Sequence, residues 1–186
     1  MKDKSSLRKV MLKSRMNFSK AENTESDFAI SESLKRVIVS HMTQKATFNL
    51  GIYYPLDGEP NLINSLCNLS CSISLPKVQD DKMLFVKYKK DDELEKSGKL
   101  GIMQPKSNNI TIPNLIIIPG LAFSLEGYRL GFGKGYYDRY LSLIEKKFSV
   151  YKIGVCYNDY LQEKIPCEPH DIKMNYIITN EIIIEL

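Results

Sequence analysis

The feature of the sequence that most constrains its fold is a series of short, almost purely apolar segments. One of them, NLIII at residues 114–118, ends at Pro119 and Gly120. Segments of this kind are typical of strands buried on both faces, as in the parallel sheets of α/β proteins. Similar segments lie at residues 48–54, 72–75, 84–88, 152–157 and 176–179. The sequence therefore predicts a buried sheet built from these strands.

Helical patterns separate several of the predicted strands. Residues 4–15 place Leu7, Val10 and Met11 on one face of a helix. Ser19 could cap a second helix, to which residues 28–41 give an apolar stripe. Further helices are predicted at residues 61–69, 135–147 and 159–164. Alternation of strands and helices predicts an α/β sheet with helices on both sides.

The composition fits one globular domain that spans residues 1–186. Hydrophobic residues make up 43% and charged residues 26% of the chain, which is an ordinary balance for a protein that buries its own core. Residues 1–20 lack the apolar centre of a signal peptide, and no apolar segment approaches the length of a membrane-spanning helix. We therefore expect a cytoplasmic protein. The charge-rich residues 79–99 are predicted to form a solvated loop or a short helix.

The net charge of the chain bears on which partners it could bind. The net charge is +4, from 26 basic and 22 acidic residues. Without a dense basic stripe we expect no nucleic-acid partner, although this balance suits a pocket for anionic ligands as well as a plain soluble surface. No dimerisation stripe stands out, so we expect a monomer.

The cysteines form no CxxC pair and are predicted to be reduced, buried and structural; they are Cys67, Cys71, Cys156 and Cys167.

The segment most informative about chemistry follows the apolar strand that ends at Pro119. Glycines recur at every second position, at Gly131, Gly133 and Gly135, before an amphipathic helix begins near Tyr136. Glycines allow backbone N–H groups to approach a ligand closely, and a helix N-terminus adds unpaired N–H donors. A loop of this kind is suited to binding an anion.

Charged residues flank the glycines. Arg129 and Lys134 could neutralise a phosphate, and Asp138 in the first helical turn could hold Mg²⁺ beside it. The segment is neither a Walker loop, since no Ser or Thr follows Lys134, nor a dinucleotide fingerprint, since its third glycine comes one residue early. The alternative is a tight turn that leaves Arg129 and Lys134 in solvent, with Asp138 as an ordinary first-turn charge.

Two parts of this segment together resemble the signature of the 5-formyltetrahydrofolate cyclo-ligases. They are PGLAF at residues 119–123 and GYRLGFGKGYYDR at residues 127–139. Four shorter elements are also similar to that family: KSSLR at residues 4–8, YPLDGE at 54–59, GIMQP at 101–105 and HDIK at 170–173. The resemblance extends from residue 4 to about residue 179, which is nearly the whole chain.

The resemblance implies a three-layer α/β/α sandwich with a mostly parallel central sheet. It also implies an ATP-dependent cyclisation of 5-formyltetrahydrofolate to 5,10-methenyltetrahydrofolate, through a phosphorylated formyl oxygen, with Mg²⁺ as cofactor. Lys134 and Arg129 are the implied catalytic residues, and Asp138 and Asp171 the implied Mg²⁺ ligands. The implied ATP-binding residues are Lys4, Arg8, Arg129, Leu130, Gly131, Phe132, Gly133, Lys134, Gly135, Tyr136 and Tyr137. The implied folate-binding residues are Tyr54, Glu59, Phe132, Gly133, Lys134, Gly135 and Tyr136.

The chain departs from the family pattern at three positions and leaves other functions open. Ser124 and Asn175 stand where acids are common, and Gln104 stands where Glu is frequent. Similar sheets also host sugar-phosphate isomerases and CoA transferases, and a relative could bind folate or nucleotide without turnover. An RNA-binding role would show a strongly salt-dependent affinity, but the tyrosines form no recognisable stacking motif.

Overall fold

The computed structural model describes residues 3–16, 23–43, 47–98 and 101–186. The main helices are α1 (Lys4–Met16), α2 (Thr24–Met42), α3 (Ile63–Leu66) and α4 (Tyr136–Ile144). The first strands are β1 (Asn49–Gly51), β2 (Ser72–Gln79), β3 (Lys82–Tyr88), β4 (Leu94–Ser97), β5 (Ile102–Pro105) and β6 (Ile110–Thr111). The remaining strands are β7 (Leu115–Pro119), β8 (Ala122–Ser124), β9 (Arg129–Leu130), β10 (Tyr151–Val155), β11 (Leu161–Gln162), β12 (Tyr176–Ile178) and β13 (Ile183–Glu185).

Eight of the strands form one sheet in the order β13-β12-β10-β7-β1-β2-β3-β6. The five consecutive strands from β12 to β2 run parallel, and β13, β3 and β6 add antiparallel pairs at the edges. The apolar segment of the sequence became the central strand β7, in which the side chains of residues 115–118 are fully buried. The predicted α/β class with a mostly parallel central sheet is confirmed.

The connections between parallel strands place helices on both faces of the sheet. The β1–α3–β2 connection runs along the sheet in one direction, and the β7–α4–β10 connection runs in the other. Because such crossovers are right-handed, α3 and α4 lie on opposite faces. Helix α2 contacts α3 and therefore belongs to the same layer as α3. The result is the expected α/β/α arrangement.

A glycine in β10 shows how tightly this core is packed. A Cβ atom on Gly154 would lie 2.7 Å from the Cδ1 atom of Phe123 and would clash with the neighbouring Cε1 atom as well. Phe123 is itself fully buried in β8. The absence of a side chain at this position therefore lets β8 pack directly against the central sheet.

Three secondary-structure predictions were wrong in part. The helix predicted at residues 61–69 is only Ile63–Leu66, and the one predicted at 159–164 is a 3₁₀ turn (Asn158–Tyr160) followed by β11, because that segment pairs with β8. The predicted loop or helix at residues 79–99 instead contains all of β3, of which residues 84–88 had also been predicted as a strand, and all of β4. These strands form because β3 pairs with β2 and β4 with β5, which satisfies backbone groups that a solvated loop would leave to water.

The other predictions from composition had mixed outcomes. Ser19 lies outside the described residues. Val10, predicted on the apolar face of the first helix, is 46% exposed, because that helix turns this position away from the core. Among the described residues, no helix is long and apolar enough to cross a membrane.

The four cysteines are free, as predicted, but only Cys156 is buried. Cys67 and Cys71 are half-buried and Cys167 is exposed, so the prediction that all four are buried was wrong for these three.

Candidate active site

The glycine-rich loop connects β9 to α4, as the sequence predicted. It follows the hairpin of β8 and β9, which begins immediately after the carboxyl end of β7, the edge at which α/β sheets bind ligands. Gly133 and Gly135 have φ angles of 95° and 64°, a region that favours glycine, and Gly135 is the N-cap of α4. The loop therefore presents its backbone to solvent next to a helix N-terminus.

Arg129 connects this loop to α4 and to the end of β7 through hydrogen bonds. Its NH2 atom donates to Asp138 Oδ2 at 3.0 Å and its NH1 atom donates to the Pro119 carbonyl oxygen at 3.3 Å. Its Cζ atom lies 5.1 Å from the centre of the Tyr137 ring, and only 9% of its side chain is exposed. A Cβ on Gly131 would come within 2.9 Å of Arg129 NH1. Arg129 is therefore not in solvent, and the loop conformation depends on it.

Lys134, unlike Arg129, has a solvent-exposed side chain. Its side chain is exposed at the tip of the loop, as the alternative reading of the sequence expected. Its carbonyl oxygen accepts a hydrogen bond of 2.7 Å from Arg139 NH1, and Arg139 in turn stacks on the Tyr136 ring at 5.2 Å. The backbone is thus held while the ammonium group stays available to an anion.

The two basic residues of helix α1 that were predicted to bind phosphate, Lys4 and Arg8, both make contacts with distant parts of the chain. Arg8 Nε donates to the Gly131 carbonyl oxygen at 2.9 Å, and a Cβ on Gly133 would lie 3.5 Å from Arg8 Cζ. Lys4 Nζ contacts the two carboxylate oxygens of Asp171 at 2.7 and 2.5 Å and Glu168 Oε2 at 2.7 Å. The structure therefore brings Arg8 to the glycine-rich loop and pairs Lys4 with Asp171.

The predicted Mg²⁺ ligands are both engaged by cations. Asp138 pairs with Arg129, and Asp171 pairs with Lys4 and also accepts a 2.6 Å hydrogen bond from the Glu168 backbone N–H. Glu168, His170 and Asp171 offer ligand atoms that lie within 4.8 Å of one another. Two carboxylates suit a hard cation such as Mg²⁺, which usually binds one or two carboxylates together with substrate phosphates.

A cavity of about 670 Å³ opens beside the segment of residues 54–59. Tyr54 and Glu59 line it, together with residues of α2 and of the segment between β3 and β4. At its wall the Tyr157 hydroxyl donates to Asp27 Oδ1 at 2.7 Å. Asp27 and Tyr157 were not predicted from the sequence, because only the fold brings them to this wall.

Glu59 is a buried carboxylate at this cavity. Its side chain is 3% exposed, its Oε2 atom accepts a 3.0 Å hydrogen bond from the Leu56 N–H, and its Oε1 atom lies 3.7 Å from Arg15 NH1. Burial raises the pKa of Glu59 from 4.5 to about 7, although the Leu56 N–H and the Arg15 charge oppose the increase. The group can therefore gain or lose a proton near neutral pH.

Arg15 is the functional candidate that sequence reasoning missed. It is buried at the carboxyl end of α1, donates from NH2 to the Gly120 carbonyl oxygen, and lies over the Phe132 and Tyr160 rings at 5.9 and 5.1 Å. The available signal was its spacing: Arg8, Met11 and Arg15 recur at helical intervals, and Met11 faces the core.

The remaining predicted positions have clear structural places. Leu130 has its side chain in the core, so it could meet a nucleotide only through its backbone. Each departure from the family pattern makes a hydrogen bond to the backbone: Ser124 Oγ accepts from Tyr128 N at 3.1 Å, Gln104 Oε1 accepts from Val78 N at 3.0 Å, and Asn175 Oδ1 accepts from Lys152 N at 2.9 Å. The residues that depart from the family pattern therefore each satisfy a backbone N–H group.

Comparisons with known proteins point to one family. Residues 1–180 match the model of the 5-formyltetrahydrofolate cyclo-ligase family. A 5-formyltetrahydrofolate cyclo-ligase of Mycoplasma genitalium is 34% identical over 188 residues, which cover 97% of this chain and 99% of the relative. The NMR structure of a 5,10-methenyltetrahydrofolate synthetase from Aquifex aeolicus superposes with a TM-score of 0.81 at 32% identity, covering 98% of this chain and 92% of the other. The corresponding synthetase from Mycoplasma pneumoniae gives 0.72 at 27% identity, covering 96% and 99%.

Proposed function

The chain belongs to the 5-formyltetrahydrofolate cyclo-ligase family, and from this premise we propose that it converts 5-formyltetrahydrofolate into 5,10-methenyltetrahydrofolate and consumes ATP in doing so. The structural observation that supports the proposal best is that helix α1 contacts both the glycine-rich loop and the buried Glu59 beside the cavity. Arg8 on α1 contacts the glycine-rich loop, while Arg15 on the same helix contacts Glu59 at the neighbouring cavity. One helix thus joins an anion-binding loop to a cavity of folate size.

The glycine-rich loop is the proposed ATP-phosphate site. Its backbone N–H groups, the N-terminus of α4 and the exposed ammonium group of Lys134 favour negative charge. Arg8 and Lys4 add positive charge from α1, and Arg129 holds the loop in shape. Phosphoryl transfer depends on alignment and on compensation of charge more than on acid–base chemistry, which fits this set of residues.

Mg²⁺ would enter with the nucleotide. Asp138 and Asp171 are its proposed ligands, and their carboxylates fit a hard cation. Each is now paired with a basic side chain, so binding of MgATP would replace an existing ion pair at Arg129 or Lys4. When bound, the cation supplies charge compensation for the phosphates.

The cavity lined by Tyr54 and Glu59 is the proposed folate site. Glu59 is suited to accept hydrogen bonds from the N–H edge of a pterin, and Tyr54 offers an aromatic face beside it. Phe132, between Gly131 and Gly133, lies under the Arg15 guanidinium at 5.9 Å, and Arg15 in turn lies beside Glu59. We therefore place the reacting formyl group near Phe132, Lys134 and Tyr136.

The chemistry follows from the weakness of the formyl group as an electrophile. Its oxygen attacks the γ-phosphorus of ATP, the bond to ADP breaks, and the formyl carbon becomes an activated imidate-like phosphate. N10 then attacks that carbon and loses its proton, and the C–O bond breaks so that phosphate leaves with that proton as the five-membered ring closes. Lys134, with the loop held by Arg129, would stabilise the charge on the transferring group. We further propose that the protein acts as a cytoplasmic monomer without a nucleic-acid partner.

A direct assay tests the proposal. Purified protein is mixed with MgATP and 5-formyltetrahydrofolate, and the methenyl product is followed by its near-UV absorbance. Product formation that requires both ATP and Mg²⁺ is expected. A folded protein that gives no product, beside an active control enzyme of the family, would refute the assignment and favour a binding protein or another activity on this fold.

A further inference from the structure

The buried side chain of Arg15 connects three parts of the site that are distant in sequence. It reaches Gly120 after β7, Glu59 in the segment of residues 54–59, and Phe132 in the glycine-rich loop. A Cβ on Gly58 would lie 3.2 Å from the Cβ, Cγ and Cδ atoms of Arg15, so this glycine packs directly on the arginine stem. Contacts of this kind position other groups as well as filling space.

The hydrogen bonding of Arg15 is incomplete. Within the described part of the chain, its Nε atom and its NH1 atom have no hydrogen-bond partner, although both are buried. The nearest carboxylate oxygen to NH1 is Glu59 Oε1 at 3.7 Å, which is longer than a hydrogen bond. A buried guanidinium with unused donors is costly, and functional sites are where such groups are retained.

On the basis of the proposed function, we infer that Arg15 is a positioning residue for the folate: it fixes the Glu59 carboxylate and ties the folate-binding segment to the glycine-rich loop at Phe132. Arg15 and Arg8 lie on the same helix, about two turns apart. The helix that contacts the nucleotide loop therefore also sets the position of the pterin-binding carboxylate. A wrongly placed Glu59 would lower folate affinity without removing any group that meets the phosphates.

The charged surroundings of Glu59 give this role a measurable signature. Arg15 faces it from α1 and Arg129 from β9. The hydroxyl groups of Tyr53, just after β1, and of Tyr137, in α4, lie close enough to interact with it. The two arginines lower the pKa of Glu59, against burial that raises it. An opposite charge within about 4–6 Å typically lowers a carboxyl pKa by about 1–3 units, so loss of Arg15 should raise it by about one unit or more.

The experiment measures binding of 5-formyltetrahydrofolate by calorimetry from pH 5.5 to 8.5, together with kcat and KM. For the wild type, affinity should fall as pH decreases through about 7. In Arg15→Met the fall should begin about one unit higher, so that at pH 7 the Kd and the KM for folate rise about fivefold while the KM for ATP changes little. Arg15→Lys keeps the charge and should retain most of the wild-type pH profile.

Control variants separate this role from simple packing. Lys13→Met, an exposed position on the same helix, should bind and turn over like the wild type. Circular dichroism checks that each variant is folded, and Arg15→Gln, which also removes the charge, carries the test if Arg15→Met does not fold. An active wild type combined with an unshifted pH profile in the charge-removing variant would overturn the inference. A folded wild type that neither binds nor converts the folate would refute the proposed function, and the inference with it.

Discussion

Replacing Glu59 by Gln should stabilise the protein while impairing its proposed function. The Glu59 side chain is 3% exposed, and burial raises its pKa from 4.5 to about 7. Glutamine has nearly the same shape and can still accept the Leu56 N–H hydrogen bond. The substitution therefore removes the cost of a buried charge with little change in packing.

The size and sign of the effect follow from the two pKa values. Below about pH 4.5 the carboxyl is protonated in both states, so it contributes no pH-dependent difference. As pH rises, the unfolded chain ionises first, and the folded state loses stability until its own pKa near 7 is passed. A difference of about 2.5 pH units corresponds to about 3 kcal/mol, at about 1.36 kcal/mol per unit.

The measurement is urea unfolding of the wild type and Glu59→Gln between pH 4.5 and 8.5. The variant should gain relative stability steadily up to about pH 7 and then keep a constant advantage of about 3 kcal/mol, or roughly 6–12 °C in Tm for a domain of this size. Its affinity for 5-formyltetrahydrofolate should fall about tenfold or more, because the carboxylate proposed to accept pterin N–H groups is lost. A stability difference that does not vary with pH would refute the reasoning.

Three further substitutions test other parts of the structure. Asp138→Asn should lower kcat about tenfold or more and raise the Mg²⁺ concentration needed for activity, measured by titrating Mg²⁺ at saturating ATP. Lys4→Ala combined with Arg8→Ala should raise the KM for ATP about tenfold, because charge-assisted contacts to phosphate are lost, and initial rates at varied ATP measure this. Gly154→Ala should lower the unfolding free energy by about 1–3 kcal/mol in urea titrations, because its Cβ would overlap the Phe123 ring.

Each of these predictions has a control or a contradicting result. Normal activity of Asp138→Asn at low Mg²⁺ would show that Asp138 is not a Mg²⁺ ligand and that its role is limited to the ion pair with Arg129. An unchanged ATP dependence in the double variant would remove α1 from the nucleotide site. Glycine-to-alanine replacement at Gly98, where a Cβ would meet no atom within 4 Å, tests backbone strain without overlap and should cost less than Gly154→Ala.

The sequence was most informative where local pattern and tertiary role coincide. The apolar segment before Pro119 was predicted as a buried strand and is one. The glycines that follow it identified the loop, in which Gly133 and Gly135 have positive φ angles. Residues 94–97 were predicted as part of a loop or helix, because their charge-rich sequence does not reveal the pairing of β4 with β5. Pairing partners of short polar strands come from the fold.

The candidate site was less accessible to sequence reasoning. Individual charged residues could be named, but not which of them would meet. Arg129 was expected at the phosphates, and the structure shows that it pairs with Asp138, while Lys4 pairs with Asp171. Arg15 had no motif to mark it, since a buried arginine is recognisable only once the elements around it are in place.

The contact between Lys4 and Asp171 has a consequence for how the protein is made. The two residues are 167 positions apart, so the amino-terminal helix meets its carboxylate partner only after almost the whole chain has left the ribosome. The sheet itself has the same requirement, because β12 joins β10 late in synthesis. A partly synthesised chain therefore already contains α1 and the glycine-rich loop, which meet through Arg8 and Gly131. The ion pair between Lys4 and Asp171 can form only after residue 171 has been made, so it belongs to the last stage of folding.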